Sequence, residues 1–112
     1  MSTTSAGRYA EEKAAAYLKL RGFKLVEKNW RNRYCEIDLI VEKDKLLSFV
    51  EVKYRSSVNW GGGWSAIDSR KLDRMVRAAE YYVSHQGWRE AYQLIAAIID
   101  DQQIEIVELY GV

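Results

Sequence analysis

Two short charged motifs stand twelve residues apart: Glu36-Ile37-Asp38 and Glu51-Val52-Lys53. Side chains alternate faces along a strand, so Glu36 and Asp38 share a face, as do Glu51 and Lys53. Their neighbours Ile37, Leu39, Ile40, Val41, Phe49, Val50 and Val52 are apolar. That surrounding predicts a buried hairpin carrying three acids and a lysine inward. An unpaired buried carboxylate costs on the order of several kcal/mol, and two side by side repel. A divalent cation compensates best, because carboxylate oxygens are hard ligands for Mg²⁺ or Mn²⁺. Lys53 can then place or activate a water, or offset charge on a phosphate. Glu-x-Lys alone is common and has no weight; the full pattern inside apolar strands is more specific. The alternative is an edge hairpin whose acids form salt bridges on a solvated face.

Register decides whether the motifs meet. A two-residue loop at Lys43-Asp44 would pair Glu36 with Glu51 and Asp38 with Phe49. A four-residue loop from Lys43 to Leu46 would pair Asp38 with Glu51. Both registers have the same parity, so both point Asp38, Glu51 and Lys53 the same way.

The elements that must position these residues read from periodicity and punctuation. Ala10, Ala14, Tyr17 and Leu18 recur at helical spacing from about Ser5 to Arg21, with Gly22 as a left-handed cap. Phe23 to Trp30, Glu36 to Glu42 and Leu46 to Arg55 read as strands. Ser56 to Trp64, with Gly61-Gly62-Gly63, reads as a mobile loop. A second helix starts at Ser65 or Asp68 and runs to Gln86, with Leu72, Met75, Val76, Ala79 and Val83 inward. Tyr92 to Ile99 is a near-continuous apolar run, expected inside the sheet, and Gln103 to Tyr110 is a last strand. The order α-β-β-β-α-β-β predicts an α/β sandwich with a central mixed sheet flanked by helices.

At 112 residues and 48% hydrophobic content the chain reads as a single domain, 1–112, with enough apolar surface for a core. No apolar run reaches the ~20 residues of a membrane span, and the first residues lack a signal-peptide stretch, so a cytoplasmic location is expected. Cys35 is the only cysteine, which excludes an internal disulfide and a cysteine-rich zinc site. The triple glycine lacks the Lys-Ser/Thr of a P-loop. Net charge is +1, but it is uneven. Met1 to Trp88 carries 16 Lys/Arg against 11 Asp/Glu, and Arg89 to Val112 carries one against five. A basic body with an acidic tail suits a nucleic-acid surface, or is ordinary scatter.

Glu36-Ile37-Asp38-Leu39-Ile40 and Phe49-Val50-Glu51-Val52-Lys53-Tyr54-Arg55 resemble the PD-(D/E)XK nuclease superfamily. Most closely they resemble the uncharacterised bacterial YraN-like family, whose fold is similar to archaeal Holliday-junction resolvases. The resemblance extends through Gly7, Glu11, Ala14, Tyr17-Leu18 and Gly22, through Asn29 and Arg31, and through Gly62, Ala66 and Lys71. It implies a restriction-endonuclease-like fold. It also implies that Asp38 and Glu51 are metal ligands, Lys53 the catalytic lysine, and Glu11 a supporting acid from the first helix. Two departures stand out. Cys35 replaces a usual Gly, and Ala91-Tyr92-Gln93 replaces Arg-Phe-Asp.

The leading expectation is a metal-dependent endonuclease acting on nucleic acid, DNA before RNA, with branched or flapped DNA suggested by the resemblance. Asp38, Glu51 and the Val52 carbonyl would hold Mg²⁺ or Mn²⁺. Arg31, Arg55, Arg70, Lys71 and Arg74 would contact phosphates. Glu36 sits beside the centre, and Trp60 could stack on a base from its loop. Trp64 anchors the same loop, and Arg33 could join Arg31 around a phosphate. His85 suits a helix C-terminus. A homodimer would suit a two-stranded target. A non-catalytic module binding nucleic acid or protein on the same fold is the alternative, and a salt-bridged structural domain the third reading.

Overall fold

The computed structural model describes residues 5–55 and 68–111. Trp60, Trp64, the triple glycine and Ala66 lie outside the described residues. The chain runs α1 (Ser5–Leu20), β1 (Lys24–Arg31), β2 (Glu36–Lys43), β3 (Leu46–Tyr54), α2 (Ser69–Gln86), β4 (Ala91–Ile99) and β5 (Ile104–Gly111). The five strands form one sheet in chain order. β3 and β4 are parallel and the other neighbours antiparallel. This is the mixed α/β arrangement with α-β-β-β-α-β-β order, consistent with a restriction-endonuclease-like fold.

Each helix covers one sheet face. α1 buries Ala10, Ala14 and Leu18, four residues apart, on Leu39, Val41, Val50, Ile95, Ala97 and Ile99. Alanines on the stripe let that helix lie close to the sheet. α2 buries Met75, Ala78, Ala79 and Tyr82 on Ile37, Ile40, Leu47, Phe49 and Leu94. The expected stripe is only partly right: Ala78 and Tyr82 are buried, while Leu72, Val76 and Val83 lie partly buried beside them. Tyr82 packs edge-to-face on Phe49 at 5.6 Å and on Trp30 at 5.2 Å, so aromatic contact widens the stripe.

Both helices end in the same way. The Phe23 N–H donates to Leu18 O, and the Gly22 N–H to Lys19 O, each at 3.0 Å. The Trp88 N–H donates to Val83 O at 2.9 Å, and the Gly87 N–H to Ser84 O at 3.3 Å. These are Schellman closures, which need the left-handed φ of 93° at Gly22 and 70° at Gly87. α2 is capped at its start by Asp68, whose Oδ1 accepts from the Lys71 N–H at 2.8 Å.

The hairpin closes at Asp44 and Lys45, with φ of 53° and 65°, and Lys43 pairs with Leu46. A primed two-residue turn has these signs because its twist matches that of the strands. Pairing continues to Leu39↔Val50 and stops. Carried one step on, this register sets Asp38 opposite Glu51, as in the second alternative read from the sequence. Among the described residues no helix is long and apolar enough to cross a membrane.

Candidate metal centre

The centre lies where β2 and β3 part. Beyond Leu39↔Val50 the ladder has no further rung, and the Val52 N–H donates instead to Asp38 Oδ2 at 2.8 Å. A side-chain carboxylate thus takes the place of a backbone carbonyl. The simple alternation in β2 also breaks here. Leu39 and Val41 face α1, whereas Ile37, two residues from Leu39, joins Ile40 on the α2 face. Parity therefore does not aim Asp38; its bond to Val52 does. Across from it in β1, Asn29 has φ 51°, a conformation Asn tolerates better than most residues.

Glu51 is a regular β3 residue. Val50 and Val52 pack on the α1 cluster and Leu47 and Phe49 on the α2 cluster, so Glu51 belongs to the α2 side. It is only 5% exposed. Its Oε2 accepts from Lys71 Nζ at 2.8 Å, which ties the first turn of α2 to the strand. Glu11, also 5% exposed, comes from α1, and its Oε1 accepts from Asn29 Nδ2 at 3.3 Å. Glu36 is half-buried and pairs with Arg31 at 3.6 Å.

The neighbouring acids act on Asp38. Burial first, then the charge on Glu51, pushes the Asp38 carboxyl up to about 7. Its bond from Val52 pulls the other way, and Glu11 and Glu36 add to the rise. Burial lowers the Lys71 ammonium, but the hydrogen bond and charge of Glu51, with Asp38 behind, hold it above its ordinary value. The Cys35 thiol is raised, chiefly by burial and then by Glu51. Cys35 precedes β2 rather than lying within it, and its Sγ donates to Arg74 O at 3.7 Å.

Of the residues singled out in the sequence, Glu51, Glu11 and Glu36 each lie near enough to Asp38 to act on its charge. Lys53 is half-buried on β3, and its side chain makes no hydrogen bond or ion pair with another described residue. Lys71, expected on phosphate, is instead engaged with Glu51. Arg55 turns away to pair with Asp100 of the β4–β5 connection at 3.4 Å and with Glu105 of β5 at 3.9 Å. Arg70 and Arg74 are exposed on α2. The Lys71 contact spans twenty residues and leaves no local signal. Asn29 had one: an amide inside an otherwise strand-like run.

Two oxygens remain available for a cation. Asp38 Oδ1 and Glu51 Oε1 accept no hydrogen bond from any described residue. Among the described residues, however, no three His, Cys, Asp or Glu side chains converge into a ready cage. A cation here would rest on two carboxylates with the Val52 carbonyl and solvent, which suits the hard, water-keeping Mg²⁺.

The model of a family described as "Uncharacterised protein family UPF0102" matches residues 10–109. A UPF0102 protein of Sulfurihydrogenibium sp. is 41% identical over 87 residues, 78% of this chain and 76% of the relative. One from Shewanella loihica is 46% identical over 77 residues, 69% and 68% of the two chains. One from Dechloromonas aromatica is 38% identical over 107 residues, 96% and 88%. The match takes in α1, the β2–β3 fork and α2 together, and the chain belongs to the uncharacterised protein family UPF0102.

Proposed function

We propose that this chain is a metal-dependent, endonuclease-like phosphodiester hydrolase acting on nucleic acid, with branched or structured DNA as its substrate class. The observation that carries the reading is the fork itself. It holds a partly buried Asp38 near Glu51, with Glu11 and Glu36 weaker in effect, so that burial and then the charge of Glu51 push its carboxyl up to about 7. Such a site gains most when a cation replaces the carboxyl proton. Asp38, Glu51 and the Val52 carbonyl are the residues that would hold Mg²⁺ or Mn²⁺, and such an ion polarises a phosphate and acidifies a water. Asn29 fixes Glu11 at the margin, and Lys71 fixes Glu51. Lys53, two residues from Glu51 and uncommitted to any described acid, is placed to orient a water or meet developing charge on the phosphate. Arg31, Arg70 and Arg74 are exposed for backbone phosphates.

A specific observation favours a second reading. The Lys71–Glu51 pair already neutralises one acid, and the described residues form no three-acid cage. That suits a non-catalytic module binding nucleic acid or protein on the same face. Cleavage of branched DNA separates the two. The hydrolase requires Mg²⁺- or Mn²⁺-dependent cutting that drops at least about 100-fold in Asp38→Asn, Glu51→Gln and Lys53→Ala. Salt-sensitive binding with no cutting in either metal would leave the module.

A further inference from the structure

Away from the fork, the β1–β2 connection and α2 enclose a cleft with no part in the chemistry above. We propose that this cleft binds an unpaired nucleotide, with its base against the tyrosines and its phosphate on arginine. The proposal rests on the nucleic-acid reading for its ligand, but not on metal or cleavage.

One wall is a rigid turn. Asn32 Oδ1 accepts from the N–H groups of Tyr34 at 2.9 Å and Cys35 at 3.3 Å, and the Asn32 N–H donates to Cys35 O at 3.2 Å. The Cys35 thiol then ties the turn to the Arg74 carbonyl of α2. Arg33 and Tyr34 are therefore held in place before any ligand arrives. The Arg33 guanidinium lies 5.2 Å from the Tyr34 ring centroid, and its Nη2 donates to the Tyr34 hydroxyl at 3.3 Å. The opposite wall is Tyr81 of α2, which stays 45% exposed. It does not swing freely: it stacks on Trp30 at 6.5 Å and on His85 at 5.1 Å. Asn32, Arg33, Tyr34 and Tyr81 enclose about 390 Å³.

Three features point to a nucleotide. Tyr81, 45% exposed, and half-buried Tyr34 keep ring surface on the cleft, and such fixed rings make a stacking platform that every base can use. Arginine is at hand: Arg33 lines the cleft itself, while Arg31, paired with Glu36, and Arg77, beside Glu80, line the two neighbouring hollows that share Tyr81 with it. A ligand combining a flat ring with negative charge matches both properties. The position fits as well. Tyr34 is four residues before Asp38, at most about 14 Å along the chain. A strand leaving the fork unpaired would meet the cleft within a few nucleotides.

The test is binding in EDTA at low salt, by fluorescence anisotropy of labelled (dT)12 and of a labelled 12-base-pair blunt duplex. Tyr81→Ala and Tyr34→Ala should each weaken (dT)12 binding by about tenfold or more, and leave the duplex within about twofold. Tyr81→Phe, which keeps the ring, should retain wild-type affinity. Arg33→Ala should weaken (dT)12 and flatten its salt dependence. Because Tyr34→Ala and Tyr81→Ala alter opposite walls, a fold defect in one leaves the other informative. Equal losses for single strand and duplex would make the cleft a plain phosphate surface and overturn the proposal. So would wild-type (dT)12 affinity in both alanine variants. Loss of cutting with this pattern intact would remove the hydrolase and leave the cleft standing; the reverse result would remove the cleft alone.

Discussion

Asp38 holds its proton more tightly in the folded chain than in the unfolded one, and the sign of that difference has a consequence. As pH rises from about 4 to about 7 the unfolded chain ionises first, so stability falls across that window and levels off above it. An asparagine accepts the same Val52 N–H and carries no charge. Asp38→Asn in EDTA is therefore expected to be more stable than wild type by about 2–4 kcal/mol at pH 8, and equal to it below about pH 4. Thermal melts across pH check this, and a pH-independent gap would refute it. The two lysines should differ. Lys71→Ala strands a buried carboxylate and is expected to cost about 2 kcal/mol, less than a fully buried pair because water reaches the lysine. Lys53→Ala removes no side-chain hydrogen bond or ion pair with a described residue and should stay within about 0.5 kcal/mol. Urea unfolding of both variants at pH 8 measures the contrast.

Elements were the most legible level. Their order and their ends, to within a residue or two, follow from Ala10-Ala14-Leu18, from the Gly22 and Gly87 stops and from the apolar runs. Local chemistry sets those features, so local sequence reports them. Register was half legible. The sequence allows a loop of Lys43-Asp44 or of Lys43 to Leu46, and the turn that forms is Asp44-Lys45. Asp44 tolerates a left-handed backbone, but nothing in Lys45 announces one. That choice stores strain which Gly would relieve. Relief of about 1–2 kcal/mol exceeds the 0.4–1 kcal/mol, roughly, that Gly adds to the freedom of the unfolded chain. Lys45→Gly is therefore expected to stabilise the hairpin by about 0.5 kcal/mol. A fall in melting temperature would show that the twist of the strands already absorbs the strain.

Across the whole molecule, the uneven charge of the sequence becomes a spatial gradient. The strands lie in chain order, so β1 with Lys24, Lys28 and Arg31 forms one edge and β5 with Glu105 and Glu108 the other. Charged edges also discourage strand addition by another chain. A polyanion should approach from the β1 and α2 side. Arg31→Glu and Arg70→Glu are expected to weaken low-salt DNA binding several-fold and flatten its salt dependence, whereas Glu105→Gln should change neither. The site was legible only as far as its acids. The Glu36/Asp38 and Glu51/Lys53 spacing marked them, but Lys71, Asn29 and the tyrosine-lined cleft depend on contacts between α2, β1 and the β1–β2 connection. Arg55 shows the same limit from the other side: beside Glu-Val-Lys in sequence, it is committed to Asp100 and Glu105.

Because one oxygen of Asp38 mends the sheet while the other is open to an ion, architecture and chemistry are fastened to the same residue. On the hydrolase reading, a descendant without cutting activity would still need an acceptor at that position to quiet an orphaned amide. Lys53 owes the scaffold no such debt. On that same reading, loss of activity would be written at position 53 long before it reached position 38.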